Sequence, residues 1–322
     1  MSPVTFHGIV AARRVVYRFL KPTPLIHYPE LSEVLGFRTY IKHENHQPTG
    51  SFKIRGGLNF MSQLPADQQA RGVITATRGN HGQSIAYAAK LFGVHATIIV
   101  PHGNNPEKNS AMCAFGAELI EHGVDFDEAR ELCEELQAVR GLRYVHPANE
   151  PALIHGVGTY SLEVFEDLPD VDAVIVPIGG GSGACGAITV VKAINPKVKV
   201  IGVQAENAPA VYRSWKAGQK VETDSCNTVA DGLATRVPFD LPFSILKDHI
   251  DRILLVSEAD IHTGIQMALR YTHNLAEGAA VAPIVAARKL KAELADQHVV
   301  MIMSGANLDT KTLKSVLVEQ QV

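Results

Sequence analysis

Apolar positions along this chain follow two periodicities that take turns. Short unbroken runs rich in β-branched residues occur at 96–100, 173–176, 198–203, 253–256 and 299–303, and such runs read as strands. Between them lie longer stretches near 82–92, 106–115, 125–139, 184–194, 259–274 and 279–294, whose apolar residues recur at helical spacing. The strand runs do not alternate apolar with polar, so both of their faces are covered, as in a parallel sheet held between layers of helices. The pattern predicts an α/β fold with mostly parallel sheets flanked by helices. No low-complexity linker, heptad run or internal repeat marks a domain boundary.

The strand at 173–176 runs into Gly179-Gly180-Gly181-Ser182-Gly183, with a helix following. Glycines let a backbone approach an anion closely, and a helix N-terminus presents free amides and partial positive charge, so this loop reads as a phosphate site. The same loop holds Gly181-x-Gly183-x-x-Gly186, and Glu206 lies 20 residues beyond Gly186 after another strand. That spacing imitates a dinucleotide fingerprint, which makes an NAD-dependent dehydrogenase the rival enzyme class.

A second candidate centre is Lys53, in Gln47-Pro48-Thr49-Gly50-Ser51-Phe52-Lys53-Ile54-Arg55-Gly56-Gly57. A Pro-Thr-Gly turn delivers one lysine beside an aromatic ring, with hydroxyls at Thr49 and Ser51. A lysine fixed and partly desolvated in this way is an imine-forming nucleophile suited to an aldehyde cofactor. The plain alternative is a solvated lysine in a turn.

Length and charge narrow the classes. With 322 residues the chain can bury a full core and hold two domains. A net charge of -3 gives no basic footprint for nucleic acid. Charges, glycine or proline interrupt every apolar run short of a membrane span, so a soluble protein is expected. The first 29 residues lack Asp and Glu and carry Arg13, Arg14, Arg18 and Lys21, as an organelle transit peptide would. Serine is scarce there, however, and Ile9, Val15, Val16 and Phe19 can share one helical face, which favours a structural helix. Cys113, Cys133, Cys185 and Cys226 are widely spaced, which indicates neither a disulfide framework nor a zinc site and fits a reducing cytoplasm. His43, Glu44 and His46 invite a metal reading, but no further ligand joins them and none is assigned.

Pro48-Thr-Gly-Ser-Phe-Lys53, Gly79-Asn80-His81-Gly82-Gln83, the glycine loop and Ser304-Gly305-Ala306-Asn307 occur in one order and, together with Thr23-Pro24-Leu25, span most of the chain. In this the sequence resembles the serine/threonine dehydratase family of fold-type-II pyridoxal-phosphate enzymes, whose architecture is tryptophan-synthase-β-like. The resemblance implies a large cofactor-binding domain from residues 1–71 and 149–322, a small domain of residues 72–148 inserted in it, and the cofactor in the cleft between them. It implies that Lys53 holds pyridoxal 5'-phosphate as a Schiff base and then removes the substrate α-proton. Phe52 would pack beside the ring, Asn80 would bond the phenolic oxygen, Ser304 would face the pyridine nitrogen, and Gly179, Gly180, Gly181, Ser182 and Gly183 would hold the phosphate. Glu277, in Glu277-Gly278-Ala279-Ala280, would lie near the ring, although an acid at a helix start is an equal explanation. Ser51, Thr77, Arg78, Asn80 and His81 would meet the substrate. Asp231-Gly232-Leu233-Ala234 either lines the same cleft or forms a simple turn.

The chain also departs from the family. Ser182 stands where a fourth loop glycine is usual, and Gly183 replaces a bulkier residue. Gln204 and Ala210 occupy positions that hold a divalent cation in some relatives. Arg78 replaces a small residue that in serine racemases is the second proton-exchanging group; arginine stays protonated, so racemisation loses ground. Arg78 is open to contact with the substrate carboxylate, a second carboxylate or an aromatic substituent, or to an outward ion pair. With 15 residues after Asn307, no C-terminal regulatory domain and no isoleucine feedback are expected. The expected activity is dehydration of a β-hydroxy α-amino acid of the threonine/serine type to a 2-oxo acid and ammonia, by a cytoplasmic homodimer. Phenylserine- or hydroxyaspartate-type substrates, racemisation and a catalytically silent relative are the alternatives.

Overall fold

The computed structural model describes residues 2–318. Its strands are β1 (Leu25–His27), β2 (Arg38–His43), β3 (Val73–Ala76), β4 (Ala96–Val100), β5 (Glu118–Glu121), β6 (Arg143–Tyr144), β7 (Ala173–Pro177), β8 (Lys199–Ala205), β9 (Arg252–Val256) and β10 (His298–Met303). They form a six-stranded sheet in the order β1-β2-β10-β7-β8-β9 and a four-stranded sheet in the order β5-β4-β3-β6. Every pairing is parallel except β1 with β2.

The central strands of the larger sheet are apolar throughout because successive side chains enter different cores. Val299, Met301 and Met303 of β10 join a cluster with Ile175, Val203 and Val285. Val300 and Ile302 join another with Val174, Val176, Ile188 and Val191. The helix Gly278–Arg288 belongs to the first layer, and the helices Ser182–Ile194 and Pro151–Asp167 to the second. Fully burying one such side chain contributes roughly 1.5–3 kcal/mol, so these layers dominate the stability of the sheet.

Beneath Lys53 the interior is ionic. Arg55, fully buried two residues later, donates to Glu44 from Nε at 2.7 Å and to Glu163 from Nη1 at 2.6 Å. Lys42 of β2, also without exposure, reaches Glu163 at 2.7 Å. This network joins the helix Lys53–Ser62 to β2 and to the helix Pro151–Asp167. It also consumes Glu44, while the rings of His43 and His46 stack with centroids 4.7 Å apart. Among the described residues no group of three or more His, Cys, Asp or Glu side chains is placed to hold a metal ion. The four thiols are unbridged. No described helix is long and apolar enough to cross a membrane.

Several expectations need adjustment. The helix Phe6–Val16 buries Ile9, Ala12 and Val16, whereas Val15 is only partly covered. The stretch at 259–274 is a helix only over Glu258–Met267; a π-turn, Ala268–Thr272, and a left-handed His273 with φ of 56° follow. The stretch at 279–294 is regular only through Arg288.

Candidate active site

Lys53 opens its helix at the junction of the two sheets' structures. The preceding backbone is stitched to the segment after β10: Phe52 N donates to the Ser304 carbonyl at 3.1 Å, and Ala306 N to Gly50 O at 2.8 Å. Ser84 Oγ donates to the Lys53 carbonyl at 2.6 Å, which ties the residue to the helix Asn80–Phe92 on the four-stranded side. The Lys53 amine then donates to Ser182 Oγ at 2.8 Å. Burial lowers its pKa from 10.5 to about 8, since a desolvated ammonium is disfavoured. The Phe52 ring lies alongside, with its centroid 5.2 Å from Nζ, and meets Tyr160 edge-on.

Ser182 begins the helix that follows β7. Gly181 caps it with φ of 94°, a left-handed conformation that a side chain strains, and a Cβ on Gly179 would collide with the Gly232 carbonyl oxygen. Bare of side chains from Gly179 to Gly181, the loop offers the free amides of a 13-residue helix to the space beside Lys53. That space is a cavity of about 430 Å³ whose wall includes Phe52, Lys53, Thr77, Arg78, Asn80, His81, Gly179–Gly183, Glu277 and Ser304. The motifs are far apart in sequence and share one wall.

In the same wall, Asn80 Nδ2 donates to Glu277 Oε1 at 2.6 Å and its Oδ1 accepts from Asn307 Nδ2 at 2.7 Å, which fixes the amide's orientation. Burial raises the Glu277 pKa, opposed by Lys108 and by the Asn80 bond. Thr77 Oγ1 accepts from Gly79 N at 3.0 Å and Gly82 N at 3.2 Å and so shapes the loop. His81 is buried with Nε2 3.2 Å from the Val145 carbonyl; burial and the nearby Lys53 charge lower it to about 3, so it is neutral near pH 7.

One site residue differs from the sequence expectation. Ser51 is fully buried with no partner for its hydroxyl and lies outside the cavity wall. Arg78 lines the cavity and also reaches Asp231, Nη2 to Oδ1, at 3.4 Å. Asp231 is in turn held by Lys108 at 2.7 Å, a lysine that sequence reasoning passed over. A signal existed, because Asn105-Pro106 starts a helix and Lys108 stands in its first turn, where the helix dipole disfavours a cation. The dinucleotide alternative finds no counterpart, since Glu206 is exposed and away from the cavity.

Comparison with known proteins follows the same outline. The family model described as "Pyridoxal-phosphate dependent enzyme" matches residues 16–305. An L-threonine ammonia-lyase of Thermotoga maritima is 38% identical over 98% of this chain and 78% of its own length. A catabolic L-threonine dehydratase of Staphylococcus aureus is 36% identical over 98% and 92%. Among solved structures, processed threonine deaminase isoform 2 of Solanum lycopersicum superposes with a TM-score of 0.92 at 33% identity, covering 98% of this chain and 93% of that one. Maize serine racemase superposes at 0.93 with 28% identity, covering 98% of each.

Proposed function

The chain belongs to the pyridoxal-phosphate dependent enzyme family, and we propose that it is an ammonia-lyase dehydrating L-threonine, with L-serine as the smaller analogue, to a 2-oxo acid and ammonia. The observation that carries this reading is the Lys53 amine 2.8 Å from Ser182 at the mouth of the glycine loop, in one cavity with Asn80 and Ser304. Relatives over 98% of the chain bearing threonine ammonia-lyase and dehydratase names support the substrate.

The residues suit the cofactor. Gly179, packed against the Gly232 carbonyl, and Gly181, in a left-handed conformation against Pro242, give the loop a shape that side chains there would prevent, the amides of the helix Ser182–Ile194 suit its phosphate, and Lys53 is the amine for its aldehyde. Bound there, pyridoxal phosphate supplies the electron-withdrawing ring that labilises the substrate α-proton and promotes loss of the β-hydroxyl. The protein's own contribution is positional and acid–base. Lys53 Nζ, with its pKa near 8, is available as a base close to neutral pH and takes the α-proton. Ser182 Oγ directs that amine toward the loop. Asn80, oriented by Glu277 and Asn307, presents a fixed amide, Phe52 an apolar face and Ser304 a neutral hydroxyl.

We read residues 1–71 and 149–322 as one domain and 72–148 as a smaller one inserted in it, in keeping with the two sheets. Closure of the cleft between them would exclude water from the reacting groups. We further read the protein as a cytoplasmic homodimer, in keeping with its unbridged thiols and the common two-fold default. The test is 2-oxo acid release from L-threonine and L-threo-phenylserine, supplied side by side at equal concentration to cofactor-loaded protein. Faster threonine turnover is expected; faster turnover of the aryl substrate would replace threonine as the substrate, and release from neither would refute the lyase reading.

A further inference from the structure

Lys108, Asp231 and Glu277 share the cavity wall with Asn80. Lys108, from the helix Pro106–Ala114 on the four-stranded side, crosses to Asp231 on the six-stranded side and donates to Oδ2 at 2.7 Å with its side chain only 7% exposed. Its stem passes over the residue that precedes Asn80, for a Cβ on Gly79 would fall 2.6 Å from Lys108 Cδ. Glu277, 5% exposed, stands just before the helix Gly278–Arg288, and its Oε1 accepts from Asn80 Nδ2 at 2.6 Å. A Cβ on Gly305 would fall 2.5 Å from that oxygen, so the carboxylate is packed between Asn80 and the segment of Ser304. A buried carboxylate whose hydrogen-bond partner is a neutral amide is costly unless a cation stands near. Here two acids share one buried lysine. Burial raises the Glu277 pKa, attraction to Lys108 is the chief influence against it, and repulsion from Asp231 adds to burial. Arg78 also faces Asp231, at 3.4 Å, and Asp309 acts on Lys108.

We propose that Lys108 is a positioning residue: it keeps Glu277 a charged acceptor, and through Glu277 it fixes how firmly the Asn80 amide is held for the cofactor's phenolic oxygen. The proposal rests on the reading that Asn80 meets the cofactor and not on the choice of amino-acid substrate. An asparagine amide has two N–H donors. Glu277 takes one and Asn307 holds the carbonyl end, so the second donor has a set direction. A hydrogen bond to a charged acceptor is the stronger kind, and protonation of Glu277 would weaken it. Asp231 anchors the Lys108 amine and competes with Glu277 for its charge.

The test follows the absorbance of bound pyridoxal phosphate, and its dissociation constant, across pH in the wild type and in Lys108→Met, Asp231→Asn, Glu277→Gln and the double variant Lys108→Met/Glu277→Gln. Thermal melting checks each fold. Lys108→Met removes the charge and keeps cover over Gly79, while Arg78 still faces Asp231. The step that Glu277→Gln abolishes belongs to Glu277, and cofactor affinity should fall about fivefold or more as pH drops through it. That step should move to higher pH by about one unit or more in Lys108→Met, because an opposing charge is gone. In Asp231→Asn it should move the other way, because a like charge is gone, and in the double variant it should be absent. General damage to the pocket would not give shifts of opposite sign. Shifts in one direction for both single variants, an unmoved step in Lys108→Met, or no step removed by Glu277→Gln would each overturn the proposal. Failure of the wild-type protein to release a 2-oxo acid would refute the lyase reading instead, and the pH steps would still decide the role of Lys108.

Discussion

At the residue scale, the site divides into side chains that sequence announces and side chains that only folding assembles. Lys53, Asn80, Ser304 and the glycine loop lie in compact local motifs, so each can be found without knowing its neighbours. Lys108 and Asp231 are 123 positions apart and acquire meaning only as a pair. Ser51 misled for the opposite reason: it belongs to the Lys53 motif, yet its hydroxyl faces the interior. Replacing Lys53 by alanine is expected to abolish 2-oxo acid release and to leave the cofactor removable after borohydride treatment; wild-type turnover would exclude Lys53 as the base. Burial disfavours the charged amine, so its pKa falls and the neutral form appears earlier as pH rises. In cofactor-free protein, acylation of Lys53 should therefore be half-maximal near pH 8, and a midpoint near 10.5 would show a solvated amine.

At the scale of elements, the apolar runs located β4, β7, β8, β9 and β10, because strands covered on both faces carry a strong local signal. Others were hidden by their chemistry. The edge strand β5 is only partly covered, and β2 contains Lys42, whose cost of burial is offset by Glu163 rather than avoided. The helix Pro151–Asp167 was obscured by Gly156 and Gly158, which lower helix propensity. Their smallness has a purpose there: a Cβ on Gly156 would strike the Arg55 carbonyl, so the glycine lets two helices pack at backbone contact. Arg55 is the charged counterpart of that contact. Arg55→Met should cost about 3–5 kcal/mol in denaturant unfolding, because Glu44 and Glu163 would remain buried without their main partner. A loss below about 1 kcal/mol would show that the network relaxes. Burial alone would raise the Glu163 pKa, but Arg55 and Lys42 outweigh it and hold it below 4.5. A depressed folded-state pKa stabilises above the unfolded value and is lost as pH falls through the folded one. Stability should accordingly decline on acidification below about pH 4.5, and less steeply in the Arg55→Met variant.

At the scale of the whole molecule, the parallel α/β class was legible from periodicity, whereas strand order was not, since pairing between distant strands leaves no local trace. Light scattering on purified protein should give about twice the chain mass of 34.8 kDa if the homodimer reading holds; a value near 34.8 kDa would remove it. The topology also bears on synthesis. β2 pairs with β10 from His298↔Arg38 to Met303↔His43, and Ser51 bridges to Gly305. The segment that seats Lys53 is therefore made early but finds its support only when nearly the whole chain has left the ribosome, at a high cost in loop closure. An unfinished chain would carry the lysine without the pocket, and stable capture of the vitamin-derived aldehyde becomes a late event in translation that reports a completed sheet.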